Sequence, residues 1–256
     1  MSKVINFFGT SVYNFIEEMG SMLIFFINIV KWTFIPPFKF KNLIKQMEVI
    51  GVDSIFVVVL TGIFSGMVLA LESYYAFHIF RAESLVGVTV ALSLTRELGP
   101  VLAALMVTAR AGSSMAAELG TMKVTAQIDA MEVMAINPIQ YLIVPRVLAG
   151  ILIMPLLTAV VDLIGILGGY FIGVHVLNIN EGLFWAKIYQ YVETGDLYNG
   201  LIKAIFFGFI LSFIGCYFGF KTRGGAKGVG QATTRAVVIS SVLILMADYI
   251  LTAYLF

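Results

Sequence analysis

The sequence predicts an all-α integral membrane protein. Five helices cross the membrane, an N-terminal helix lies at its surface, and a short helix sits on the cytoplasmic side. Three observations carry this. Of the 256 residues 60% are hydrophobic and only 12% charged, too few charges to coat a soluble domain. The apolar residues fall in long runs, and about 20 consecutive apolar residues span a bilayer as a helix. The ionised groups that interrupt those runs sit near mid-span, where charge costs several kcal/mol unless it meets a partner or water. A net charge of +1 gives no basis for binding nucleic acid. The lone Cys216 and the distant His78 and His175 offer neither a disulfide framework nor a metal site. No cleavable signal peptide is expected after MSKVINFF.

Residues 3–18 carry Val4, Ile5, Phe8, Val12, Phe15 and Ile16 near helical spacing, with polar residues between, which predicts an amphipathic surface helix. Met19–Ile35 is apolar but holds Asn28 and Lys31 and stops at Pro36-Pro37. It reads as interfacial or re-entrant, with a sixth span as the competing reading. Residues 1–50 thus form an N-terminal segment, and 51–256 the transmembrane domain. The first span is Ser54–Leu71, continuing to about Phe80, and the second is Leu85–Ala109. A polar helical stretch, Ser113–Asn137, follows. The third span, Val147–Leu177, is long enough to tilt and carries Asp162 at its centre. Glu181–Thr194 is an amphipathic connector. The fourth span runs from Leu197 to Phe220 and the fifth from Val229 to the C-terminus. With the N-terminus cytoplasmic, eleven Lys and Arg lie inside, among them Lys3, Lys39 and Arg223, against Arg81 and Lys187 outside, which fixes that orientation. No internal repeat supports an inverted-repeat carrier.

Candidate functional residues follow. Arg96 and Glu97 are adjacent mid-span, diverge by roughly 100° on a helix and so need separate partners. Asp162 lies at a depth suited to Arg96, and Lys203 and Asp248 lie at matching depths in the fourth and fifth spans. These five charges are either interhelical locks or functional groups. Gly62, Gly66 and Ala70, and Gly165, Gly169 and Gly173, form small-residue stripes that suit close packing within one chain or between two copies. Tyr74, Tyr75, Phe77 and Phe80 form either an interfacial aromatic belt or, beside Leu69 and Ala76, an apolar mouth for acyl chains. In Thr121–Ala135, Met122, Ile128, Met131, Val133 and Met134 interleave with Lys123, Gln127, Asp129 and Glu132. Such a short amphipathic helix either enters a groove in a soluble partner or lies on the bilayer. Gly224–Gly230 lacks the lysine and hydroxyl of a phosphate loop, and no nucleophile, base and acid assemble, so this chain is not expected to be an enzyme.

Three ordered motifs, LSLTRELGPVLAALMVTARAGSSMAAELGTM (Leu92–Met122), INPIQYLIVPRVLAG (Ile136–Gly150) and GVGQATTRAVV (Gly228–Val238), make the chain from Gly51 to Phe256 resemble the MlaE-type permeases. These are membrane subunits of ABC systems that move lipids between the inner and outer membranes of Gram-negative bacteria. The resemblance implies a homodimer in the inner membrane, two cytoplasmic ABC ATPase subunits on the Thr121–Ala135 helix, and a periplasmic MCE-domain ring. It implies a phospholipid ligand touching Leu69, Tyr74, Phe77, Phe80 and Leu98, with ATP and Mg bound by the partner ATPase and no cofactor in this chain. It also implies intramembrane charge at Arg96, Glu97, Lys203 and Asp248. The residues alone also admit a non-transporting scaffold, a sterol-type cargo, or a proton-coupled carrier relaying through Glu97, Asp162 and Asp248.

Overall fold

A computed structural model describes residues 2–37 and 40–255, with side chains at residue 13 and from residue 16 onward apart from 38 and 39. Lys39, the Lys3 side chain, and most of the apolar face expected over residues 3–18 (Val4, Ile5, Phe8, Val12 and Phe15) lie outside the described residues. No strand occurs among those described. Among the described residues, five helical segments are long and apolar enough to cross a membrane: Phe40–His78, Glu83–Val124, Ile139–Val176, Thr194–Phe220 and Gly225–Leu255. They match the five predicted spans.

One helix, α1 (Ser2–Thr33), covers both N-terminal stretches that the sequence separates, and it is not among those five. It runs without a break from Ser2 to Thr33, so the chain does not reverse within it. Phe25 and Ile29 anchor it in the core. The Phe25 ring packs on Phe213, Tyr217 and Phe220 at centroid distances of 5.8, 5.6 and 5.8 Å. After Pro36-Pro37 the chain enters α2 (Phe40–Ile50), then a 3₁₀ turn and α3 (Ile55–His78).

The second span is a bent rod. It runs through α4 (Val86–Ser93), a π-turn at Leu94–Leu98, α5 (Gly99–Val107), a second π-turn at Thr108–Gly112, and α6 (Ser113–Val124). Here the sequence reading needs correction, because Thr121–Ala135 is not one helix. The chain breaks at Thr125-Ala126, where Ala126 takes φ 58°, and restarts as the seven-residue α7 (Gln127–Val133). Then come α8 (Val144–Tyr170), the connector α9 (Glu181–Tyr191), α10 (Thr194–Phe220) and α11 (Gly225–Leu255). A capping box starts α10: Glu193 and Asp196 each accept from the other's backbone N–H.

The two glycine stripes meet each other inside the chain. Gly66 on α3 lies so close to the Gly165 backbone on α8 that a Cβ at Gly66 has no room; a Cβ at Gly165 would meet Leu94 and the Gly62 carbonyl, and Gly62 sits against the Val161 backbone. Small residues let the two backbones touch, so dispersion contacts replace the hydrophobic drive that lipid cannot supply. The main core then fills between α5, α6, α8 and α10, with Ala104, Val107, Met154 and Phe207 fully enclosed. Gly66→Ala is expected to push α3 off α8 and cost about 1–3 kcal/mol. Gly195→Ala, where a Cβ meets nothing within 4 Å, is the neutral control. Thermal denaturation of both variants in detergent measures the difference.

Candidate functional site

The site grows from Pro100. A helical residue at 100 donates its N–H to the Arg96 carbonyl, and proline has none. The preceding π-turn lengthens the local register, with Gly99 N–H bonding the Leu94 carbonyl. Carbonyls freed in this way inside a membrane need another donor. Helix α10 supplies it: Lys203 Nζ donates to the Arg96 carbonyl at 2.8 Å. One turn earlier Gly200 lets the two helices close, since a Cβ there has no room beside the Thr95 carbonyl.

Around Lys203 the ions assemble. Its ammonium is fully buried and lies 2.8 Å from Glu97 Oε2, 3.2 Å from Asp248 Oδ1 and 2.8 Å from Thr252 Oγ1. Thr252 also bonds Glu97 Oε2 at 3.1 Å. One cation thus holds two carboxylates, one from the second span and one from the fifth. Burial of a charge is tolerable only with such complete hydrogen bonding. Asp248 is largely covered, whereas about a third of the Glu97 side chain (37%) stays accessible.

Arg96 takes a different partner from the one expected. It does not meet Asp162; its Nε and Nη2 both reach Asp196 Oδ1 at 2.8 Å. The other oxygen of Asp196 accepts the Glu193 N–H at 3.1 Å, so one carboxylate serves both the start of α10 and the π-turn. Asp162 lies on the other side of the rod, its Oδ1 against the Gly99 backbone. Its carboxylate is buried and makes no hydrogen bond, so it stands outside the ion cluster. The reason is rotational. Arg96 leaves the π-turn toward α10, and Gly99, three residues on, is what faces α8.

Asp196 and Thr252 were absent from the candidates, though a signal for them existed. Asp196, Gly200 and Lys203 follow i, i+4, i+7 on one face of α10, and Thr252 is one turn beyond Asp248 on α11.

The apolar candidates divide. Leu69, Tyr74, Phe77 and Leu98 gather, partly buried, around Ala70, Val86, Val90, Leu94 and Ile179. Phe80 does not join them. After α3 ends at His78 the chain turns, with Phe80 and Ala82 N–H both bonded to the Phe77 carbonyl, and the Phe80 ring is left 79% exposed. The cluster and the ions adjoin on successive residues of one turn: Arg96 reaches α10, Glu97 meets Lys203, and Leu98 packs on the apolar cluster.

At the opposite end of the bundle, Lys123 Nζ spans the α6–α7 break to Asp129 Oδ1 at 2.6 Å, while Ile128 is buried and Met122 and Met131 pack on the core. Gln127, Asp129 and Glu132 are exposed, and beside them Val133 and Met134 stand clear of the protein.

The family description "Permease MlaE" matches residues 43–254. The chain belongs to the MlaE permease family. It is 47% identical over 254 residues to a probable ABC transporter permease of Rickettsia conorii, covering 99% of this chain and 98% of the relative. It is 44% identical over 218 residues to the intermembrane phospholipid transport system permease MlaE of Haemophilus influenzae, covering 85% and 84%. A probable ABC transporter permease of Synechocystis is 39% identical over 216 residues, covering 84% and 82%. As a member of this family the chain is a multi-pass membrane permease.

Removing Lys203 tests the ion cluster. Lys203→Ala leaves two carboxylates and the Arg96 carbonyl without their donor and is expected to cost about 3–5 kcal/mol. Adding Glu97→Gln and Asp248→Asn to Lys203→Met should recover most of that loss, because no buried charge is left unpaired. Denaturant titration in micelles reads both outcomes.

Proposed function

We propose that this chain is the permease of an ABC system that moves phospholipid between the inner and outer membranes. It works in the inner membrane as a homodimer, N-terminus cytoplasmic, with two cytoplasmic ATPase subunits and a periplasmic MCE-domain ring. One observation carries this reading. Within a single π-turn, Glu97 and Leu98 join a partly accessible ion cluster to an apolar cluster, in a relative of a permease named for phospholipid transport.

A phospholipid presents the same two chemistries, acyl chains and a charged headgroup. Leu69, Tyr74, Phe77 and Leu98 take the chains, and Phe80 adds an exposed ring at the membrane boundary. Arg96 and Glu97 meet the headgroup, each already oriented by a partner, so little ordering remains to be done on binding. A lipid shifts the balance of two conformations only by binding one better. Exchange of Glu97 between Lys203 and the headgroup supplies that difference.

The energy comes from the partner subunits, which bind ATP and Mg. The exposed Val133 and Met134 form an apolar knob, rimmed by Gln127, Asp129 and Glu132, that suits a groove in a soluble subunit. Lys123–Asp129 stiffens the break behind it, so a push on α7 travels into α6 and the ion cluster.

The test is reconstitution in proteoliposomes with the ATPase and MCE partners, following a fluorescent phospholipid. Movement is expected only with ATP and Mg. Glu97→Ala should slow it about tenfold, the equivalent of 1.4 kcal/mol, while the assembly still forms. Val133→Asp should abolish ATP-dependent movement by releasing the ATPase. Movement driven by a pH gradient without ATP, or unchanged flux in Glu97→Ala, overturns the proposal.

A further inference from the structure

Beyond the apolar cluster, at the end of the bundle opposite α7, a cavity of about 460 Å³ opens between the turn after α3 and the turn before α9. The cavity shares Tyr74, Leu177 and Ile179 with that cluster. Its rim is polar, with Arg81 and Glu83 on one side and Asn178 and Asn180 on the other. Glu83 is held at 2.8 Å by His78, whose ring stacks on Tyr74. Arg81 makes no ion pair with any described residue. The Asn180 side-chain oxygen Oδ1 caps α9 by accepting the Leu183 N–H, which leaves its side-chain amide hydrogens to be donated.

The backbone adds a second point. Arg81 has φ 54° and Asn178 φ 55°, the left-handed region that glycine enters without strain and a long side chain does not. The chain thus carries a guanidinium at a position where local geometry favours glycine; it acts on the Glu83 carboxylate through space but makes no ion pair with any described residue.

We propose that this cavity is a headgroup subsite for the phosphodiester of a phospholipid. Arg81 engages the phosphate oxygens, the Asn178 and Asn180 amides donate from the facing wall, and the acyl chains run over Tyr74 and Phe77. Guanidinium and phosphate make charge-assisted, often bidentate hydrogen bonds. This rests on the lipid-transport reading above and adds a position for the headgroup outside the ion cluster. A soluble phosphate ester offers the same anionic chemistry, but the adjoining apolar cluster, joined to the cavity at Tyr74, Leu177 and Ile179, favours the lipid.

Native mass spectrometry of the full chain in detergent tests it with three probes: short-chain phosphatidylglycerol, diacylglycerol with the same chains, and glycerol phosphate. Arg81→Gly removes the cation while relaxing the backbone, so misfolding does not confound the result. It should weaken phosphatidylglycerol retention about tenfold and leave diacylglycerol unchanged, and Arg81→Lys should restore part of the loss. Phe77→Ala should weaken both lipids. If Phe77→Ala acts on both and Arg81→Gly on neither, the subsite is wrong and the lipid reading survives. Glycerol phosphate bound as tightly as phosphatidylglycerol makes the cavity a soluble-anion site and overturns the assignment. Retention of neither lipid by the unaltered chain overturns both.

Discussion

A proline without an N–H sets the rest of this structure in place. Pro100 leaves the Arg96 carbonyl open in a medium that offers no water, and the Lys203 ammonium closes it. That single bond draws a full positive charge into the interior, and the charge in turn requires Glu97, Asp248 and Thr252 around it. A backbone defect in the second span thereby ties together three transmembrane helices. The same defect sends Arg96 to the start of α10, where Asp196 is already committed to the capping box.

Close backbone packing holds both sides of the bundle, and one side adds ions. Toward α3 and α8 the contact is backbone on backbone, with Gly66 and Gly165 at the tightest point and no ion involved. Toward α10 the backbones also approach closely, at Gly200 against the Thr95 carbonyl and Gly208 against Gly150, and the Lys203 ions are added there and reach α11. Close-packed glycine seams do not deform by small degrees, whereas an ion cluster re-sorts its hydrogen bonds at modest cost. The ion cluster is then the adjustable contact within a close-packed bundle, and the accessible carboxylate, Glu97, belongs to it.

What could be read from the residues, and what could not, follows from one distinction. Composition and run length give position along the membrane normal, so the five spans and the common level of Lys203 and Asp248 were legible. Direction around a helix axis was not. A π-turn takes more residues per turn than the 3.6 of an α-helix, so Arg96 points away from where an unbroken helix aims it, and Asp196 rather than Asp162 receives it. Nothing in TMKVTAQIDAM marks the left-handed alanine that divides Thr121–Ala135, since neither glycine nor proline stands at the break. The glycine stripes announced close packing, but only three-dimensional contact shows that they face each other. Phe80 was grouped with its neighbours by proximity in sequence, and the turn after His78 separates it.

The Lys203 ammonium has three hydrogens and at least four oxygens within reach: the Arg96 carbonyl, Glu97, Asp248 and Thr252. At any instant at least one of these oxygens lacks an ammonium hydrogen, and Thr252 can serve Glu97 in its place, so the arrangement is degenerate. Several nearly equal patterns interconvert by rotation about the final C–N bond, with no helix displaced. An incoming amine or ammonium that captures Glu97 therefore leaves behind no orphaned hydrogen, because a spare acceptor is already waiting. Ligand exchange at this lysine is, in that sense, prepaid by the surplus of oxygen.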